Sequence, residues 1–235
     1  FRSVDERIVG HKPKTLEVTE AAALPLTAIT AWEMLFDRLQ VPKNAPENTT
    51  ILVIGGAGGV GSITIQLLKQ LTNLTIIATA SRAETQDWVK QLGADYVLDH
   101  RQPLAAQIKQ LGLTAPLYVF STTQTDQHLA DIVELIAPQG RFGLIDDPEQ
   151  LDIKPFKTKS VSVHWEFMFT RSMFQTEDMA KQSALLNEVS KLVDEGKIKT
   201  TVTEVISPIN AENLKRVHQQ IESGTTKGKI VLQGF

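Results

Sequence analysis

The stretch Thr50 to Lys69, TILVIGGAGGVGSITIQLLK, constrains the fold more than any other part of the chain. Ile51 to Ile54 is an unbroken apolar run, which suits a central parallel strand buried on both faces. A glycine cluster follows, and then Val60, Ile63, Leu67 and Leu71 recur at the three-and-four spacing of a helix. Gly56, Gly58 and Gly61 fit G-x-G-x-x-G. Gly56 is expected to allow the tight turn, Gly58 to let a diphosphate approach the backbone, and Gly61 to let helix pack on strand. The helix start would offer free N–H groups and a partial positive charge to phosphate oxygens. Because the glycines sit between a strand and a helix, the loop reads as a dinucleotide cradle, with Ala57, Gly59 and Val60 as its intervening backbone. The competing reading is a strand-to-helix turn without a ligand. A nucleoside-triphosphate loop is excluded, since no Gly-Lys-Ser/Thr follows the glycines.

Composition narrows the setting. With 42% hydrophobic and 22% charged residues in 235, the chain is ordinary for a soluble globular protein. A net charge of −3 gives no general attraction to nucleic acid or anionic membrane, so neither is expected as a partner. The absence of cysteine removes disulfides, thiolate catalysis and any zinc site that depends on sulfur ligands. No apolar run approaches the length of a membrane span and no signal-peptide pattern opens the chain, so a cytoplasmic location is expected.

Taken in order, Phe1 to Val9 reads as a short strand. An isolated strand cannot satisfy its backbone groups, so the chain is expected to be a piece of a longer protein. Thr19 to Leu24 reads as a short helix capped by Thr19, with a break at Pro25, and Leu26 to Leu39 as a longer one. After the glycine loop, strands are expected at 74–79, 96–98, 117–120, 140–145 and 160–165. Helices are expected between them at 83–92, 104–111 and 125–136. Strand and helix alternate with short connections, which is the α/β doubly wound pattern with a parallel sheet. A long amphipathic helix at 177–193 follows, then a strand at 201–206, a helix at 211–221 and a strand at 229–232. These end strands are expected to pair outside the nucleotide-binding sheet, with the strand near residue 5 as a candidate neighbour.

The end of the second strand bears on the cofactor. An acidic residue there, about twenty residues beyond the glycines, usually bonds the adenosine ribose and repels a 2′-phosphate. Here the segment is Ala78-Thr79-Ala80-Ser81-Arg82, with no acid before Glu84. Ser81 can donate to a phosphate, and Arg82 can give it a charge-assisted contact. The plainer alternative is a solvated arginine on a loop. NADPH is therefore expected over NADH.

Several segments together resemble one family. Ala21-Ala22-Ala23-Leu24-Pro25, Thr30-Ala31-Trp32, the loop Gly55 to Gly61, Leu92-Gly93-Ala94-Asp95 and Gly228-Lys229-Ile230-Val231-Leu232 follow one another in its order. The chain resembles the C-terminal two-thirds of a medium-chain dehydrogenase/reductase of the quinone-oxidoreductase or zinc-type alcohol dehydrogenase-like branch. The resemblance implies a Rossmann sheet with remnants of a GroES-like catalytic domain at both ends. It divides the chain into 1–25 (catalytic remnant), 26–172 (Rossmann domain) and 173–235 (return to the catalytic domain). It places Thr30 near the nicotinamide, Ser81 and Arg82 at the 2′-phosphate, and His100 by the adenosine half. Ser121, Thr122, Gly143 and Ile145 should flank the ribose and nicotinamide, and Phe167 and Met168 should close over the cofactor. A zinc-dependent relative would carry a cysteine ligand just before the Thr-Ala segment, where this chain has Leu26, so no zinc is expected. His11, His128, His164 and His218 lack ligand spacing and read as surface or structural residues.

The activity implied is NADPH-dependent hydride transfer, without zinc, to a quinone or an α,β-unsaturated carbonyl. No acid or base is assigned in this stretch, and the piece on its own is expected to be inactive. The alternative from another class is a non-catalytic NADPH-binding or sensing module. A homodimer is expected through the strand near Val163, where Val161, Val163 and Trp165 alternate with polar residues.

Overall fold

The computed structural model describes residues 3–235. The apolar run after Thr50 forms β1 (Thr50–Ile54), buried along its whole length. It is the centre of a six-stranded sheet with β2 (Thr75–Thr79), β3 (Tyr96–Leu98), β4 (Tyr118–Ser121), β5 (Arg141–Leu144) and β6 (Ser162–Trp165). The order is β3-β2-β1-β4-β5-β6 and every pairing is parallel. The chain winds outward from β1 in one direction and then, from β4 on, in the other. Such a reversal leaves a crevice at the carboxyl ends of β1 and β4, where open α/β sheets bind ligands.

Alternation along β1 fills both faces. Ile51 and Val53 join an apolar layer with α2 (Pro25–Trp32), α3 (Gly59–Leu71), α4 (Ala83–Leu92) and α8 (Lys181–Asp194). Leu52 and Ile54 join the opposite layer with α5 (Leu104–Gln110) and α6 (Thr125–Leu135). The remaining helices are α1 (Val18–Ala22), α7 (Thr170–Met173) and α9 (Ala211–Glu222). Strands β7 (Val202–Ile206) and β8 (Lys229–Leu232) pair with each other, in parallel, as a separate two-stranded sheet.

The two end strands therefore do lie outside the main sheet, but the segment near residue 5 is not their neighbour. Glu6–Ile8 is a 3-10 turn instead of a strand, because the Asp5 carboxylate accepts from the Arg7 N–H (2.9 Å) and pairs with its guanidinium. Phe1 and Arg2, also assigned to that strand, lie outside the described residues. Pro25 opens α2 at a position where its missing N–H costs nothing. Helix α1 begins one residue before the expected cap Thr19, at a turn where the Glu17 N–H donates to the Glu20 carboxylate (2.9 Å). The single helix expected to reach Leu39 changes after Trp32 into a π-helical stretch, Glu33–Arg38, with the Leu39 N–H bonded to the Met34 carbonyl.

Strand β6 pairs on one side only among the described residues. The N–H groups of Ser162 and Glu166 donate to the carbonyls of Gly140 and Leu144, so the alternating Val163 and Trp165 N–H groups face the open edge. Pairing of two copies along this edge is expected to give a dimer in light scattering. Val163→Pro, which removes an outward donor and no bond to β5, should convert it to a folded monomer. A monomeric unmodified protein, or a dimer that survives the substitution, would place the contact elsewhere.

Candidate functional site

The glycine loop is shaped by contacts that leave no room for side chains. Gly55, directly after β1, takes the left-handed φ of +79° that makes the turn. The sequence reading gave that task to Gly56, which instead lies flat against β2, where a Cβ would sit 3.0 Å from Ala78 Cβ. Gly55 N–H donates to Thr79 Oγ1 (3.0 Å) and Gly56 N–H to the Thr79 carbonyl (3.2 Å), which fixes the loop to the end of β2. A Cβ on Gly61 would collide with the Gly55 carbonyl and stand 2.7 Å from Gly56 Cα, so only glycine lets α3 approach β1 this closely. Gly58 differs: a Cβ there would meet only the Gly55 carbonyl, at 3.5 Å. The space in front of Gly58 is open, and it lies at the N-terminus of α3. A diphosphate fits there, on free N–H groups and the positive end of the helix.

This loop floors a cleft of about 460 Å³. Ala57, Gly58, Gly59 and Val60 line its base, Ser81, Arg82 and His100 one end, and Thr122 the side toward β4. The other expected residues lie outside the lining. Gly56 and Gly61 act in the packing just described. Thr30 is buried and donates to the Leu26 carbonyl (2.9 Å), while Leu26 and Thr27 face the cleft in its place. Ser121 is buried and accepts from Thr125 Oγ1 (2.8 Å). Gly143 packs against the Met34 side chain, and Ile145 and Met168 against the apolar layer that holds α2. Phe167 is half exposed and stacks edge-on with Phe169.

The opposite wall comes from the far end of the sequence. Thr225, Thr226 and Gly228, between α9 and β8, and Lys229, the first residue of β8, face the glycine loop across the cleft. The Gly228 N–H donates to the Ala57 carbonyl (2.8 Å), and the Lys229 stem runs so close over Gly59 that a Cβ there would be 2.6 Å from its Cδ. Lys229 has no carboxylate partner among the described residues. Its ammonium is therefore free to meet a phosphate. The sequence marks Gly228-Lys229-Ile230 as a closing strand and a segment of the family resemblance, with no sign that it faces the glycine loop.

Charge is concentrated at the Ser81 end. Arg82 Nη2 donates to the Thr225 carbonyl (2.6 Å), and Arg101, paired with Asp99, donates to the Ser81 carbonyl (2.8 Å). His100 stands 6.2 Å from His128, ring centre to ring centre. Burial holds the His100 pKa below its ordinary value, with the neighbouring His128 acting in the same direction.

A second polar cluster is buried away from the cleft. Glu33, in the π-helical stretch, contacts Arg171 (2.6 Å) and accepts from Gln182 (3.0 Å), and Arg171 also pairs with Asp37 and Asp178. Glu166 accepts from Arg38 Nε (2.7 Å). One oxygen of Glu33 and one of Glu166 lack any hydrogen-bond partner. Burial, then the adjacent Glu33, pushes the Glu166 pKa up to about 8, which favours its protonated form.

Residues 92–232 match the family model described as zinc-binding dehydrogenase. The zinc-type alcohol dehydrogenase-like protein SAS2087 of Staphylococcus aureus strain MSSA476 is 39% identical over 235 residues, 99% of this chain and 70% of its own length. The chain belongs to the medium-chain dehydrogenase/reductase family. Its sheet, loop and cleft are those of an oxidoreductase that holds a nicotinamide cofactor. A crystal structure assigned as a zinc-dependent alcohol dehydrogenase protein from Rhizobium etli CFN 42 superposes with a TM-score of 0.95 at 64% identity, covering 99% of this chain and 68% of that one. The mycobacterial protein Rv1454c, solved with NADPH, gives a TM-score of 0.77 at 26% identity, covering 94% and 67%. Zinc stands in the names of several such dehydrogenases. Among the described residues of this family member, no group of three or more His, Cys, Asp or Glu side chains comes together to hold a metal. No helix is long and apolar enough to cross a membrane, among the described residues.

The Glu33–Glu166 cluster has a pH signature. The Glu166 pKa is raised in the folded state, so the fold binds the proton more tightly than the unfolded chain does. Stability should fall as pH rises from the ordinary carboxylate range through about 8. In Glu166→Gln the amide supplies an N–H permanently, and the melting temperature should lose part of its decline between pH 5.5 and 8.5. Equal slopes for the two proteins would show that Glu166 is not the group that titrates.

Proposed function

We propose that this chain is the nucleotide-binding part of an NADPH-dependent reductase that delivers hydride, without zinc, to a quinone or an α,β-unsaturated carbonyl. The observation that carries the cofactor choice is the end of β2. Ser81 and Arg82 line the cleft where an acid would select NADH, and Arg82 has no carboxylate partner among the described residues. The likeness to a mycobacterial protein solved with NADPH supports the same choice. Leu26, half exposed at the cleft, supports a zinc-free reaction, because it stands where a zinc-dependent relative would need a cysteine.

Bound reduced nicotinamide supplies the hydride. The chain's own residues bind and orient. Gly58, Gly59 and the α3 N-terminus hold the diphosphate, Lys229 adds a cation to it, and Ser81 with Arg82 grips the 2′-phosphate. Leu26 and Thr27 border the cleft beside Thr30, where the apolar Leu26 helps keep water from the reacting carbon. Without a Lewis acid, rate depends on proximity and on hydrogen bonds to the developing oxyanion. Residues 26–172 form the nucleotide-binding unit in this proposal, with 1–25 and 173–235 belonging to a catalytic lobe; the separate β7–β8 sheet supports that division.

Arg82→Ala tests the cofactor choice. It should weaken NADPH binding by roughly 1.5–3 kcal/mol, the value of a lost charged hydrogen bond, and leave NADH binding nearly unchanged. Equal weakening of both in calorimetry would show that Arg82 does not read the 2′-phosphate. NADPH consumption with quinone and enone acceptors then separates a reductase from a non-catalytic binding module.

A further inference from the structure

The connection from α9 to β8 crosses the cleft as a strap and is tied down at several points. Arg82 holds the Thr225 carbonyl, Thr203 Oγ1 donates to the Lys227 carbonyl (2.6 Å), and Gly228 is bonded to Ala57. Lys227 is thereby fixed in place. Its ammonium pairs with Glu84 (2.5 Å) and lies 5.3 Å from the centre of the Trp88 ring. Trp88 is itself anchored by its indole N–H to Ser62 Oγ (2.9 Å), on the helix that begins at the glycine loop.

Glu84 is the first acid after β2 and stands in the first turn of α4, two residues beyond Arg82. It is mostly exposed and ionised, with Lys227 holding its carboxyl below the usual range. Left alone, that negative charge would lie within the first turn of the helix that starts at the 2′-phosphate site. It would repel a phosphate dianion and offset Arg82. As a surface ion pair, Lys227–Glu84 contributes little to folding. Its effect on the field at the cleft is another matter, because a bound phosphate responds to the net charge of that turn.

We infer that Lys227 determines cofactor specificity by neutralising Glu84, so that the strap and the first turn of α4 together admit an adenosine 2′-phosphate. This rests on the NADPH reading above. Lys227 does not line the cleft, so it acts through Glu84 as a positioning residue and touches no cofactor.

The test is a cycle of variants read by calorimetry with NADPH and with NADH. Lys227→Met keeps an apolar stem on Trp88 and removes the charge. It should weaken NADPH by about five-fold at low salt, the scale of a single charge acting on a phosphate across partly screened solvent, and NADH much less. Lys227→Arg should retain the preference. Adding Glu84→Gln to Lys227→Met should restore NADPH affinity, whereas Glu84→Gln alone, which leaves the Lys227 charge unopposed, should tighten NADPH binding. A merely structural strap would lose both cofactors together and would not be rescued at Glu84. Equal losses or failed rescue would therefore overturn the inference, even with Arg82→Ala still selective for NADPH. An unmodified protein that binds NADH as tightly as NADPH would overturn it together with the reading beneath it.

Discussion

The site rests on the close approach of Gly61 of α3 to the Gly55 carbonyl at the end of β1. Any Cβ at position 61 would push the helix away from the strand. With glycine there, the helix begins directly above the end of the central strand, at the point where the strand order reverses. The positive end of α3 then points into the crevice. Everything proposed for the site depends on that placement, because a diphosphate is held by backbone N–H groups and a helix dipole, not by any one side chain.

The second wall depends on the first. The carbonyl of Ala57 accepts from Gly228, and residues 58 and 228 form an isolated parallel bridge, so the strap docks on the glycine loop itself. That docking brings Thr225, Thr226 and Lys229 to a cleft founded on residues 55–61. It also places Lys227 over α4. A cofactor in the cleft would touch both ends of the chain, which couples its binding to the packing of the β7–β8 sheet.

Much of this was legible because the signals were local. The apolar run of β1, the glycine spacing, and the limits of α4, β3 and β8 all follow from neighbours a few residues apart. The strand at Val163 was legible from its alternation, and its edge position from its place as the last strand of the sheet. Where the sequence misled, a partner far along the chain or a competing local bond decided the outcome. Phe1 to Val9 has a strand-like pattern, yet Asp5 bonds its own neighbour Arg7 and closes a turn. The helix from Leu26 carries no mark of its π-helical turn, whose buried Glu33 meets Arg171 from beyond β6. Nothing near residue 229 announces that its lysine will cross Gly59. The turn glycine was misplaced by one, because G-x-G-x-x-G fixes the spacing but not which neighbour adopts positive φ.

The open space at Gly58 offers the most direct test of the cradle. A Cβ there meets no neighbouring side chain within 4 Å, so valine should leave the fold intact while its methyl groups fill the place of the diphosphate. Titration of Gly58→Val with NADPH, alongside its melting temperature without ligand, separates the two effects. Loss of measurable binding with little change in melting temperature is the result expected. Undiminished affinity in a folded Gly58→Val protein would show that the phosphates lie elsewhere.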